Sequence, residues 1–214
     1  NKFLKAHGMR KNVKVKFSDH HYAHALPTLF YNPKWDNALL YTSDGGGDGT
    51  NYSFTYFNNN RLKVIYGYSD LLREDFKPDS VGQMYSLATE ICGFIPNRHE
   101  GKITGLAAFG EPKYANDIIS LYEINDIGRI LPKFKNYKKL KDFLAEIYIN
   151  DGREVLAASV QNALEYLTVK SIEILKNNHA FANIGLAGGV CSNVKLNQKI
   201  SEIVGIDDIF IFPA

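Results

Sequence analysis

Three histidines lie close together near the start of the sequence. His20 and His24 are four positions apart, with His21 between them. On a helix, side chains four residues apart project from one face, so the imidazoles of His20 and His24 can approach one transition-metal ion, whereas His21 projects elsewhere. A polar helix start would also explain so short a pattern. The spacing therefore makes His20 and His24 candidate metal ligands, with the plain helix start as the alternative.

A glycine-rich segment follows about twenty residues later and joins two apolar stretches. Its members are Asp44, Gly45, Gly46, Gly47, Asp48 and Gly49. Glycines let backbone amides approach phosphate oxygens, and carboxylates can hold a cation or orient a nucleophile. A flexible hairpin turn is the alternative, although four glycines exceed what a turn needs. We predict that Asp44 is catalytic and that the three consecutive glycines and Asp48 bind a cofactor.

A second glycine pair, Gly188 and Gly189, lies between a predicted strand and a predicted helix that carries Asn193. Bare backbone at a helix start favours an anion such as a nucleotide phosphate, although a tight strand-to-helix turn is the alternative. These three residues are predicted to bind the cofactor. The sequence contains neither the glycine pattern of a Rossmann dinucleotide site nor that of a P-loop, which counts against both.

Lys102 ends a run of ionisable residues that begins at Arg98 and precedes an apolar stretch of small residues. Its ammonium group can contact a phosphate or a substrate oxyanion. An exposed loop lysine without a role is the alternative. Lys102 is the second predicted catalytic residue.

Strands dominate the expected structure of the first third of the chain. Alternating residues predict a strand over 13–17, and residues 18–19 offer a cap for a helix that carries the histidines. Pro27 cannot donate to the carbonyl of Ala23, so this helix is expected either to kink or to begin later. Further strands are predicted over 38–42, 52–57 and 62–66, which together favour a mainly antiparallel sheet.

Helical spacing begins after residue 78. A helix ending near Gly93 is predicted first, followed by a helical insertion over 115–150 and a long amphipathic helix over 154–176. The last segments predict a strand over 183–187, a helix over 190–200 and a strand over 209–212. Because a strand, a helix and a strand follow one another, this unit requires a parallel strand pair.

The composition is that of an ordinary globular protein. The chain has 214 residues, 45% of them apolar, and its 25 basic side chains nearly balance 23 acidic ones, which argues against nucleic acid as a partner. Its two cysteines, Cys92 and Cys191, form no metal or redox motif and fit a reducing cytoplasm. No apolar run reaches the roughly 20 residues that span a bilayer, so no membrane partner is expected.

Four segments, taken in order, resemble the O-carbamoyltransferases typified by the nodulation-factor, cephalosporin and tobramycin carbamoylating enzymes. Residues 20–25 resemble the family's HHxxHA block, and 44–48 resemble its glycine-rich phosphate turn. Residues 100–110 resemble its EGKxMGLAxYG block, and 187–193 its AGGVxxN block. Thr104 and Phe109 depart from the usual Met and Tyr of the third block.

The resemblance implies an α/β, actin-like ATPase fold of the ASKHA, ribonuclease-H-like type. It implies an incomplete two-lobed domain, with a first lobe over 1–78 that lacks its opening hairpin and a second over 79–214 that lacks its C-terminal helix. His20 and His24 would bind a divalent metal, iron above others, together with an Asp expected beyond residue 214. The metal would polarise a carbamoyl oxygen as a Lewis acid.

The resemblance also implies the reaction. A carbamoyladenylate, made from carbamoyl phosphate and ATP on a YrdC-like domain of the same full-length chain, would donate its carbamoyl group to a hydroxyl of a small-molecule acceptor such as a sugar or natural product. The chain is expected to be part of a longer protein and not to turn over alone. The alternatives are a threonylcarbamoyl or hydrogenase-maturation carbamoyl transferase, a non-enzymatic nucleotide-binding module, and a sugar kinase.

Overall fold

This computed structural model describes residues 18–67 and 80–213, together with residues 6, 8 and 16. The first half contains α1 (His20–Phe30), β1 (Asn37–Gly47), β2 (Thr50–Asn58), β3 (Arg61–Tyr66), α2 (Val81–Ile91), α3 (Glu100–Leu106) and a 3-10 turn (Ala107–Phe109). The second half contains α4 (Ala115–Ser120), β4 (Tyr122–Ile124), β5 (Ile130–Pro132), α5 (Tyr137–Asn178), β6 (Asn183–Ala187), a 3-10 turn (Gly189–Ser192), α6 (Val194–Ser201) and β7 (Asp208–Ile211). The strand predicted over 13–17 lies, apart from residue 16, outside the described residues.

One five-stranded sheet, in the order β3-β2-β1-β6-β7, organises the fold. The strands β1, β2 and β3 pair antiparallel, as the first part of the sequence predicts. The strands β1, β6 and β7 pair parallel, which confirms the pair predicted for the last strand-helix-strand unit. The strand β1 is central, and its residues 38–43 are buried on both faces. A continuous apolar run is typical of such a strand.

Successive residues of β1 point into two different cores. Leu39 and Tyr41 belong to the large core formed with α2 and α5, whereas Ala38 and Leu40 belong to a small core with Ala25 of α1. Alternation of this kind follows from the two-residue period of a strand. Helices therefore cover both faces of the sheet, and α1 lies on the face opposite α5.

The helix that carries the histidines begins at His20, so the later start, one of the two expected alternatives, is wrong. The Asp19 carboxylate accepts a hydrogen bond from the Tyr22 amide at 3.0 Å and fixes the first turn. The helix continues through Pro27 to Phe30. The Tyr31 amide donates to the Pro27 carbonyl at 3.1 Å, so helical bonding continues on the carboxyl side of the proline.

The insertion predicted as helical over 115–150 is only partly helical. The short strands β4 and β5 pair antiparallel within it. The Asn125 side chain accepts hydrogen bonds from the Ile127 and Arg129 amides, and Gly128 has φ of +81°, so this segment forms a tight turn rather than a helix. The helix predicted over 154–176 is confirmed within α5, which bends at Gly152.

Strands from both sides of residue 78 share the main sheet, and the division into two lobes at that residue stays a prediction.

Cys92 and Cys191 are both buried and free. Among the described helices, none is long and apolar enough to cross a membrane.

Replacement of Gly188 by alanine should destabilise the fold strongly. Gly188 has φ of +92° and ψ of 163°, a conformation that is nearly restricted to glycine, and a Cβ there would overlap the Ser43 carbonyl. We expect Gly188→Ala to lower the free energy of unfolding by at least about 3 kcal/mol, measured by urea denaturation. The matched control is Gly93→Ala, which also has positive φ but meets no atom within 4 Å and should cost about 1–2 kcal/mol. Equal losses would contradict the steric explanation.

Candidate functional site

Two histidines and one aspartate meet where α1 begins and β1 ends. The distance between His20 Nε2 and Asp44 Oδ2 is 3.2 Å, and that between His24 Nε2 and the same oxygen is 3.3 Å. Candidate ligand atoms of the three side chains all lie within 4.8 Å of one another. The structure therefore brings the two predicted metal ligands together and adds Asp44, which the sequence predicted as catalytic.

The chemistry of this donor set fits a divalent metal. Donors that share one ion at about 2.0–2.2 Å lie about 3.0–3.4 Å apart, and both His-to-Asp distances fall in that range. The second oxygen, Asp44 Oδ1, accepts a hydrogen bond from the Gly45 amide at 2.7 Å. Burial opposes ionisation of Asp44, but that amide and the nearby histidines hold the pKa of the carboxyl below its ordinary value. Asp44 is thus an ionised donor.

The glycine-rich turn fixes the position of His20. The Asp48 carboxylate accepts a hydrogen bond from the backbone amide of His20 at 2.8 Å. A Cβ added at Gly47 would overlap the His20 ring, so the close approach of the turn to the imidazole requires glycine. Gly47 and Asp48 lie against the helix that carries His20 and His24, and their predicted role in cofactor binding stays a prediction.

His21 holds α1 onto the sheet. Its side chain is buried, its Nε2 lies 3.0 Å from the Thr50 carbonyl, and its Nδ1 lies 2.7 Å from the Thr42 hydroxyl. A carbonyl can only accept, so Nε2 carries the proton and Nδ1 accepts from Thr42. Burial lowers the pKa of His21, which keeps this neutral form. The sequence indicated only that His21 points away from its neighbours.

A cavity of about 560 Å³ opens beside Asp44. Four predicted site residues line it, namely Asp44, Gly45, Gly189 and Asn193. The other lining residues come mainly from α2, α3 and the loop between them: Gly82, Tyr85, Ser86, Asn97, Arg98, Glu100, Gly101 and Thr104. Gly46 and Gly188 do not line it, but they shape the two turns that do, with φ of +146° and +92°.

A partly buried hydrogen-bond network connects lining residues of the cavity to Gln161 of α5. Tyr85 donates to Gln161 Oε1 at 2.7 Å, and its hydroxyl oxygen lies 2.7 Å from the Thr104 hydroxyl. Burial raises the pKa of Tyr85, so this group stays a neutral donor. Asn193 Nδ2 donates to Gln161 Oε1 at 2.8 Å, and Asn193 Oδ1 caps α6 through the Leu196 amide. The predicted cofactor-binding amide is therefore committed to the protein.

The structure does not bring Lys102 to the cavity. Lys102 is exposed, and its Nζ lies 4.9 Å from the centre of the Phe94 ring. Within α3, Glu100 and Thr104 lie four positions apart and face the cavity, so the intervening Lys102 points away. The prediction of Lys102 as catalytic therefore finds no support in this geometry. Arg98, which belongs to the same ionisable run, lines the cavity instead.

Comparison with known protein families matches residues 3–214 to the family described as "Carbamoyltransferase N-terminus". The chain belongs to this family. The match spans nearly the whole chain, including the two histidines, Asp44 and both glycine turns. The resemblance stated from the four sequence blocks is thereby confirmed.

Curated relatives support the same family. A protein of Methanocaldococcus jannaschii is 34% identical, with 96% of this chain and 35% of the relative covered. The nodulation protein NolNO of Sinorhizobium fredii is 26% identical, with 94% of this chain and 29% of the relative covered. The chain thus spans about a third of the length of the curated relatives it matches.

Among solved structures, the chain is similar to full-length HypF in its phosphate- and nucleotide-bound form. The TM-score is 0.54 at 14% identity, with 94% of this chain and 41% of HypF covered. At this identity the likeness concerns the fold alone. It confirms the α/β class and supports the actin-like architecture predicted from the sequence.

Replacement of Gly47 by alanine should weaken metal binding without removing a ligand. The added Cβ would displace the His20 ring, and because changes around metal ligands typically cost about 10–100-fold in affinity, we expect a loss of that size in a metal titration. The matched control is Gly45→Ala, whose Cβ would meet Gln83 Nε2 at 3.6 Å, an ordinary contact. Unchanged affinity in a folded Gly47→Ala protein would contradict the role assigned to this glycine.

Proposed function

We propose that this chain carries the metal and nucleotide centre of a carbamoyltransferase. The observation that carries the proposal is the convergence of His20, His24 and Asp44 beside a cavity lined by glycine turns, in a chain of the carbamoyltransferase N-terminus family. The reaction we propose is transfer of a carbamoyl group from carbamoyladenylate to a hydroxyl of a sugar or natural-product acceptor.

His20, His24 and Asp44 would hold one divalent metal ion. Two imidazoles and one carboxylate are a donor set that suits iron(II), so iron is the metal we propose. The ion would supply Lewis acidity towards the carbamoyl oxygen. In this proposal Asp44 is a ligand rather than a general base, since its Oδ2 lies 3.2 and 3.3 Å from the two imidazole nitrogens. A further ligand beyond residue 214 stays a prediction.

The cavity would hold the nucleotide part of the donor. Its volume of about 560 Å³ lies within the range usual for small-molecule sites. Gly45 and Gly189 line it without side chains and leave backbone polar groups accessible to a phosphate. The carbamoyladenylate would be made from carbamoyl phosphate and ATP on a YrdC-like domain of the full-length protein, which we propose as the partner of this domain.

The transfer step balances without a redox partner. The acceptor oxygen bonds to the carbamoyl carbon, the bond from that carbon to the phosphate oxygen breaks, and AMP leaves with the electron pair. The hydroxyl proton passes to solvent. Residues of this chain would bind and orient the two reactants, which is where much of a two-substrate enzyme's rate advantage arises.

Metal analysis tests the proposal directly. We expect the protein, purified anaerobically, to contain about one iron or similar ion per chain by elemental analysis. His20→Ala, His24→Ala and Asp44→Ala should each remove it, because each deletes one donor of the set. The matched control is His179→Ala, because His179 stacks on Tyr56 and lies outside this group.

The outcomes separate the candidate functions. An ion lost in all three variants but kept in His179→Ala supports the metal-assisted transferase, which should then form AMP and a carbamoylated alcohol from carbamoyl phosphate and ATP in the full-length protein. Absence of an ion from every preparation would contradict the metal role and favour a nucleotide-binding module. Phosphoryl transfer to an added sugar would indicate a kinase instead.

A further inference from the structure

We propose that Arg98 binds the phosphoryl group of the ligand that occupies the cavity, an inference that rests on the proposed nucleotide site. Arg98 is the one Lys or Arg among the cavity-lining residues that the structure describes. Its guanidinium offers five donors in a planar fork, a geometry that matches phosphate oxygens. The sequence analysis predicted Lys102, four residues later in the chain, as a catalytic residue able to contact a phosphate or a substrate oxyanion, but Lys102 does not line the cavity.

The carboxylates that line the cavity form no ion pair with Arg98 among the described residues. Asp44 lies within hydrogen-bonding reach of His20 and His24, and its second oxygen accepts from the Gly45 amide. Glu100 Oε1 accepts from the Ser86 hydroxyl at 3.0 Å and from the Asn97 amide. Over the described residues, no carboxylate lies within salt-bridge distance of Arg98. Its charge is thus available to an anion.

The loop that carries Arg98 is held in place on both sides. On one side, the Asn97 amide donates to Glu100, and Asn97 takes φ of +61°, which asparagine tolerates better than most residues. On the other side, His99 Nδ1 accepts from the Ile95 amide at 3.2 Å, and the His99 amide donates to the Ile95 carbonyl at 3.0 Å. The backbone of Arg98 is therefore preorganised at the cavity before a ligand arrives.

The two glycine turns that also line the cavity complement this position. Gly45 and Gly189 provide backbone without side chains, so a phosphoryl group can approach closely there. A Cβ at Gly189 would lie 3.2 Å from Asp44 Oδ1, closer than most side-chain contacts, so alanine would crowd that wall. A cation from the loop between α2 and α3 would then offset the negative charge of a phosphoryl group, which the glycines themselves cannot do.

Calorimetric binding of AMP, adenosine and inorganic phosphate tests this assignment. The metal-loaded protein should bind AMP more tightly than adenosine. Arg98→Gln should weaken AMP binding by about tenfold or more, as expected for loss of a charge-assisted hydrogen bond, and leave adenosine binding unchanged. Arg98→Lys should restore part of the AMP affinity, because it keeps the charge and loses the planar fork.

Controls separate a local effect from a general one. Arg153→Gln removes an exposed cation that pairs with Glu154 and does not line the cavity, so AMP affinity should not change. An Arg98-dependent affinity for AMP identifies a nucleotide phosphate, and an Arg98-dependent affinity for inorganic phosphate alone identifies a free phosphate; both support the assignment.

Two results would overturn it: AMP and phosphate binding that Arg98→Gln leaves unchanged, or an equal loss of AMP and adenosine binding in that variant. Either result, obtained with an intact metal content, would reject the role of Arg98 and leave the proposed metal centre standing. Loss of the metal from the unmodified protein would instead reject the proposed function.

Discussion

The seating of α1 on the β1–β2 hairpin is the constraint on which the candidate site depends. Asp44 lies on the sheet and the two histidines lie on the helix, so the three donors meet only because the first turn of α1 is fixed against the hairpin. Buried His21 bonds to both strands of the hairpin, and Asp48 bonds to the first amide of the helix. A shift of 1 Å would separate the donors of the proposed ion.

The strand order brings the glycine turns together. The strand β1 has an antiparallel neighbour on one side and the parallel strand β6 on the other, with Thr42 opposite Ala187. The pairing of β1 with β6 ends at these two positions, so the residues that follow them lie at the same end of the sheet, where Gly188 lies against Ser43. Ligands of α/β proteins bind at the carboxyl ends of parallel strands. This pairing explains how segments about 140 residues apart in sequence form one cavity wall.

Local patterns in the sequence were sufficient for most elements and for the ligand pair on α1. The strands of the main sheet, the parallel pair and the long helix follow from hydrophobic period and turn residues. The position of Asp44 beside the two histidines did not follow from these patterns, because it depends on packing between α1 and β1. The positions of Lys102, which points away from the cavity, and of Arg98, which lines it, could not be read from the sequence, because the direction of each side chain depends on where α3 begins, a boundary that sequence patterns place poorly.

Thr104, which stands where the resembling sequence block has Met, takes part in the hydrogen-bond network of Tyr85 and Gln161 at the cavity. Tyr85 uses its proton to donate to Gln161, so its oxygen can only accept, and the Thr104 hydroxyl supplies the donor. The block that residues 100–110 resemble has a methionine at this position, and a methionine has no proton to give. With Met at this position, the Tyr85 hydroxyl would keep its bond to Gln161 and lose the bond from Thr104. Thr104 and Tyr85 therefore form one unit of the cavity wall, and the shape of the wall depends on both.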